Sequence, residues 1–144
     1  MIRTKIYLDT NILLDLLIKE RTSSMYSLNV FSEIKEKRFE AVLSTQSIID
    51  SYYTAYKNGL AKEEIDLVVE WMMNHINVRP IGYSDMLIAM KSDEKDLEDA
   101  AQIALAKREY CDIFLTSDND ILQRERDEFL IFISPGELIE KATE

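Results

Sequence analysis

Cysteine is nearly missing from this chain: Cys111 is the single thiol among 144 residues. One thiol cannot close a disulfide within the chain or assemble a thiolate metal cluster, so the fold must stand on packing. A lone thiol also leads us to expect a cytoplasmic location. Glycine (three) and proline (two) are equally scarce, which excludes Pro/Gly-rich linkers and points to regular elements joined by short loops. The one histidine, His75, has no evident Ser-His-Asp or Cys-His set around it; near a helix end it suits the dipole instead. No Walker A or GxGxxG loop is present. No apolar run is long enough to span a bilayer, and the N-terminal MIRTKIYLDT enters a strand at once, without a signal-peptide core. Basic residues are the last shortage: 17 Lys and Arg face 27 Asp and Glu, a net charge of −10. Phosphate contacts normally need Lys and Arg, so this balance weighs against a nucleic-acid binder. A pocket of acids offset by a bound cation would account for part of it and keeps that class open.

What the chain does have is the composition of an ordinary soluble globular protein, 47% hydrophobic and 31% charged, sized for one domain over residues 1–144. Short apolar runs at 5–8, 41–43, 77–80, 113–115 and 130–133 predict strands. Helices are predicted over about 11–18, from a Thr22 or Ser23 cap to about 37, over 46–57 up to the stop at Asn58-Gly59, and over 62–75. The helix at 62–75 carries Ile65, Val68, Val69, Met72, Met73 and Ile76 as one stripe. Ser84 should cap a helix reaching Met90, and Ser92-Asp93 or Asp96 should cap the next, through Leu105. Ser134 should cap a last helix with Pro135 in its first position. Strands alternating with helices predict an α/β fold, a mostly parallel sheet covered on both faces.

Aspartates recur at the places where such a fold binds ligands. The first strand ends at Asp9-Thr10-Asn11, and Ile113-Phe114-Leu115 ends at Thr116-Ser117-Asp118-Asn119-Asp120. Asp50 lies early in one helix, with Ile48 and Ile49 suggesting that this stretch enters the core. Asp99 lies in the first turn of another helix. The carboxyl ends of strands in an open α/β sheet converge on one crevice. Carboxylates gathered there repel one another unless a cation joins them, and hard divalent ions with oxygen ligands, Mg²⁺ or Mn²⁺, fit. Plainer duties are open to each acid. Asp9 can cap a helix, Asp50 and the run Asp96-Leu97-Glu98-Asp99 can complement helix dipoles, and Asp118 and Asp120 can serve a polar turn. Helical spacing puts Asp96, Asp99 and Ala100 on one side and turns Glu98 off by about 100°. Asp15, along the first helix, suits a structural bond to a nearby Ser or Lys.

These pieces together resemble PIN-domain nucleases, the family that includes VapC-type toxins of bacterial toxin–antitoxin pairs. The matching segments are Leu8-Asp9-Thr10-Asn11-Ile12-Leu13-Leu14-Asp15, Leu43-Ser44 to Asp50, Asp96-Leu97-Glu98-Asp99-Ala100 to Ala106, and Leu115-Thr116-Ser117-Asp118, in order across nearly the whole chain. The resemblance implies a three-layer α/β/α sandwich and Mg²⁺- or Mn²⁺-dependent hydrolysis of RNA phosphodiesters. It implies Asp9, Asp99 and Asp118 as metal-binding acids, Asn11 and Thr116 as polar support, and Asp96 and Asp120 as further acids. Asp50 falls where the family usually has Glu, one methylene longer. The resemblance also implies a homodimer held by a small antitoxin protein whose tail enters the acidic groove. The helices around residues 26–34 and 65–76 could form such an interface or could simply be core.

Two other classes compete. A PIN-like interaction module without catalysis is favoured by the shorter Asp50 and by the acidic charge. An aspartyl-phosphate phosphatase would use Asp9 at the first strand end, but such enzymes carry a second Asp two residues on, where this chain has Asn11.

Overall fold

The computed structural model describes residues 3–18, 20, 24–123, 127 and 129–142. In chain order they form β1 (Thr4–Leu8), α1 (Thr10–Leu17), α2 (Ser24–Lys35), β2 (Phe39–Ser44), α3 (Thr45–Lys57) and α4 (Lys62–His75). Then come β3 (Asn77–Arg79), α5 (Tyr83–Lys91), α6 (Leu97–Arg108), β4 (Ile113–Leu115), α7 (Asn119–Leu122), β5 (Ile131–Ile133) and α8 (Pro135–Ala142). The five strands make one parallel sheet in the order β3-β2-β1-β4-β5.

Alternation along each strand divides the core in two. Ile6, Leu8, Ala41, Leu43, Ile113 and Leu115 face one side, where they meet apolar residues of α1 to α4 and α8. Tyr7, Val42 and Phe114 face the other, against Ile103, Leu105 and Ala106 of α6. Tyr7 and Phe114 stack with ring centroids 5.1 Å apart. Strands buried on both faces are continuous apolar runs for this reason, and the α/β sandwich expected from the sequence is the one found.

Boundaries differ where caps compete. Helix α1 starts at Thr10, one residue early, because Asp9 caps it. Helix α2 ends at Lys35, and Lys37 then turns into the left-handed region. The caps expected at Thr22 or Ser23 lie outside the described residues. Ser84 falls inside α5: the cap is Gly82, whose N–H is bound by the Asp85 carboxylate at 2.8 Å. Of the two caps offered for α6, Asp96 is the one used. Helix α4 has the predicted bounds, and α8 opens at Pro135, with Ser134 accepting from the Glu137 N–H. Met73 does not join the apolar stripe of α4 but is exposed, whereas Trp71 packs inward. Ile49 likewise points to solvent, at 62% exposure, so only Ile48 carries that stretch toward the core. Asn58-Gly59 does end α3: Gly59 takes φ 90°, and the Gly59 and Leu60 N–H groups close onto Tyr56 and Ala55 carbonyls.

The chain runs outward from β1 through β2 to β3, then returns to place β4 on the other side of β1. Neighbouring strands therefore part in opposite directions between β1 and β4, the place where open α/β sheets form a crevice. The Asp9 N–H extends the ladder onto the Leu115 carbonyl at 3.0 Å, so the ends of the two strands are held side by side.

Candidate active site

Asp9 sits at that crevice, 4% exposed. One carboxylate oxygen accepts from the Thr10 N–H at 2.7 Å; the other accepts from Asn11 Nδ2 at 3.1 Å and Thr116 Oγ1 at 2.8 Å. Asn11 joins the two strand ends a second time, taking the Ser117 N–H and hydroxyl on its Oδ1 at 3.1 and 3.0 Å. Burial raises the Asp9 pKa, against the lowering effect of its bonds from Thr116, Thr10 and Gln102. Asp118 is tied to the same hub, its N–H on Thr116 Oγ1 at 3.0 Å, and it caps α7 by accepting from the Asp120 N–H.

A cleft of about 490 Å³ opens over Asp9, and Asp50, Asp96, Glu98, Asp99 and Asp118 line it. No Lys or Arg is among its described lining residues. Asp99 is raised to about 7 by burial first, then by the charges of Asp9, Asp96 and Asp118. Asp50, half-buried on α3, accepts from Gln46 Nε2 at 3.1 Å. Asp120 is exposed and lines an adjoining groove with Asp96, Asp99 and Asp118. Asp9, Asp50, Asp96, Asp99, Asp118 and Asp120 thus border one acidic depression, Asn11 on its wall and Thr116 buried beneath.

Glu98 adds to the reading from helical spacing. Although turned off from Asp99 around α6, it lines the same cleft, 3.5 Å from Thr10 Oγ1, and is raised to about 7 by burial first and then by Asp50 beside it. The cleft lies off the end of α6, where a long side chain reaches it from a neighbouring helical position. Asp15 behaves as expected: fully buried, it accepts from Ser27 Oγ at 2.6 Å. Sequence reasoning also passed over Gln102, which lies buried under the cleft; its signal was one amide inside the run Ala100-Ala101-Gln102-Ile103-Ala104.

Among the described residues no three His, Cys, Asp or Glu side chains already converge as a metal cluster. The donor set nevertheless fits a hard cation. All its donor atoms are oxygens, and Asp9, Glu98 and Asp99 are held toward their protonated forms by burial and by neighbouring acids. A divalent ion would relieve that repulsion as the protons leave.

This chain is similar to several known proteins. A family model described as PIN domain matches residues 5–120. Ribonuclease VapC1 of Aquifex aeolicus (strain VF5) is 29% identical over 119 residues, 79% of this chain and 81% of that protein. Among solved structures, Mycobacterium tuberculosis VapC20, a Sarcin-Ricin loop cleaving toxin, superposes with a TM-score of 0.66 at 12% identity, covering 80% of this chain and 91% of that one. VapBC2 from Rickettsia felis, solved with a DNA fragment from its promoter, gives 0.64 at 14% identity, covering 91% and 98%.

Proposed function

Since this chain belongs to the PIN-domain family, we propose that it is an endoribonuclease that hydrolyses RNA phosphodiester bonds with Mg²⁺ or Mn²⁺, the toxin of a toxin–antitoxin pair. The observation that carries this is the cleft at the β1–β4 switch point, walled by Asp9, Asp50, Glu98, Asp99 and Asp118 with no cation from the described lining.

Asp9, Asp99 and Asp118 would hold the ion, which when bound would supply an activated water and charge relief on the phosphoryl oxygens. Thr116 and Asn11 fix the Asp9 carboxylate, each donating to Oδ2. Asp50 and Glu98 orient the attacking water. Glu98, raised to about 7 by burial and Asp50, is matched to receive a proton at neutral pH. The reach that Asp50 lacks relative to the family's Glu is supported by Glu98 on the same wall. Asp96 and Asp120 widen the acidic field toward the adjoining groove.

An antitoxin suits the apolar groove of about 430 Å³ lined by Leu16, Leu28, Phe31, Leu67 and Trp71, with a cationic tail reaching the acids. A homodimer suits the exposed Ile49, Tyr53 and Tyr56 of α3. No helix among the described residues is long and apolar enough to cross a membrane.

A second reading has its own observation: the acids do not converge as they stand, as in a module that has lost catalysis. Calorimetric titration of Mn²⁺ separates the two. The nuclease reading expects saturable binding in the parent protein and none in Asp99→Asn. It also expects RNA cleavage that vanishes in Asp9→Asn and Asp99→Asn while circular dichroism stays native. No binding at millimolar metal, or full activity in either variant, favours the module.

A further inference from the structure

The inner side of α6 is built of Ala100, Ala101, Ile103, Ala104 and Leu105, with Gln102 among them at 1% exposure. An amide buried without partners is strongly unfavourable, so its bonds define what it does there. Gln102 Oε1 accepts from Tyr7 OH at 3.3 Å and from Ser47 Oγ at 3.2 Å. Gln102 Nε2 donates to Thr10 Oγ1 at 3.5 Å. Ser47 Oγ is in turn 2.9 Å from Ser44 Oγ and 2.8 Å from Thr10 Oγ1.

The amide has a direction. Its oxygen faces two hydroxyls that can give protons, and its nitrogen faces the Thr10 hydroxyl on the side of the Asp9 carboxylate, whose charged form it favours. Reversed, the amide oxygen would oppose a carboxylate, acceptor against acceptor. The anchors sit on different elements: Tyr7 on the central strand, Ser44 at the end of β2 and Ser47 in the first turn of α3. Tyr7 cannot swing, because its ring is stacked on Phe114 and fully buried.

We propose that Gln102 is a positioning residue for cation binding: locked by Tyr7 and Ser47, its amide holds Thr10 and the inner side of Asp9 in the orientation that receives the metal. The proposal rests on the reading of Asp9 as a metal ligand. Groups that orient a ligating carboxylate typically matter by roughly 10- to 100-fold in metal affinity. Asp9 keeps three other donors without Gln102, but loses the group that holds its inner side.

The test is Mn²⁺ calorimetry on the full chain for the parent, Asp99→Asn, Gln102→Met and Tyr7→Phe, with circular dichroism and a thermal melt of each. We expect Gln102→Met to stay folded at the titration temperature and to bind Mn²⁺ about tenfold or more weakly. Tyr7→Phe, which keeps the stacked ring and removes only the hydroxyl, should weaken binding in the same direction by less. A role confined to packing would lower the melt and leave the affinity of the folded protein unchanged. If the parent binds and both variants bind within about twofold of it, the inference is overturned and the metal site stands. If Gln102→Met does not fold, Tyr7→Phe decides alone. A parent that binds no Mn²⁺ overturns the nuclease reading and the role of Gln102 with it.

Discussion

Asp99 and Glu98 each carry a raised pKa of about 7, and burial is the leading cause for both. The folded chain thus holds these protons more tightly than the unfolded chain, whose ordinary values are 3.8 and 4.5. Their contribution to stability is present on the acid side and is lost as pH rises from that ordinary range through about 7. Without metal, the melting temperature should fall between pH 5 and pH 8; Mn²⁺ should flatten the profile, and so should Asp99→Asn. Melts at four pH values, with and without the ion, check this, and a parent profile as flat as that of Asp99→Asn would contradict it. Asp9 and Asp118 were legible in the sequence because a strand end fixes where its next residue goes. Glu98 was not, since helical angle alone ignores how far a long side chain reaches past the helix start. Gln102 was hidden for another reason: its partners Tyr7 and Ser47 lie 95 and 55 residues away in the chain.

Elements are positioned by local chemistry that can be tested one bond at a time. Asp85, 1% exposed, takes Arg108 Nε at 3.0 Å and Nη2 at 3.0 Å, while Arg108 also reaches the Pro80 carbonyl at 2.8 Å. This clamp fastens α5 to α6, the helix that carries Asp99. Arg108→Met strands a buried carboxylate and should cost about 3 kcal/mol in urea unfolding, the low end of the usual range because the Gly82 N–H remains. At the end of α3, Gly59→Ala meets no atom within 4 Å but forces a side chain to φ 90°. It should lose about 1 kcal/mol from backbone strain alone. The capping at Gly82 illustrates the limit of reading elements from sequence. Ser84 is the better cap by type, yet the carboxylate of Asp85, itself held by a residue 23 positions on, serves the Gly82 N–H instead. By contrast α4 has its predicted bounds, because a 14-residue apolar period leaves little room for a competing start.

Across the whole molecule, 27 acids against 17 bases make this an anion meeting an anion. Long-range repulsion should slow the approach of RNA at low ionic strength. Salt should therefore help where it hinders most nucleic-acid enzymes. From about 20 to about 150 mM KCl at fixed Mn²⁺, kcat/KM on a short RNA is expected to rise, and a steep fall would point to a basic tract that dominates recognition.

The side-by-side ends of β1 and β4 carry one more consequence. Asp9 leaves the ribosome well before the Thr116 hydroxyl that fixes it, which lies 107 positions later. Synthesis proceeds from the N-terminus, and the central strand must wait for β4, a neighbour made after β2 and β3. A growing chain can form β1, β2 and β3 together while the acid cleft is still missing a wall. Nascent chains and released fragments that stop short of Thr116 alike lack the hydroxyl that fixes Asp9, and with it that wall of the cleft.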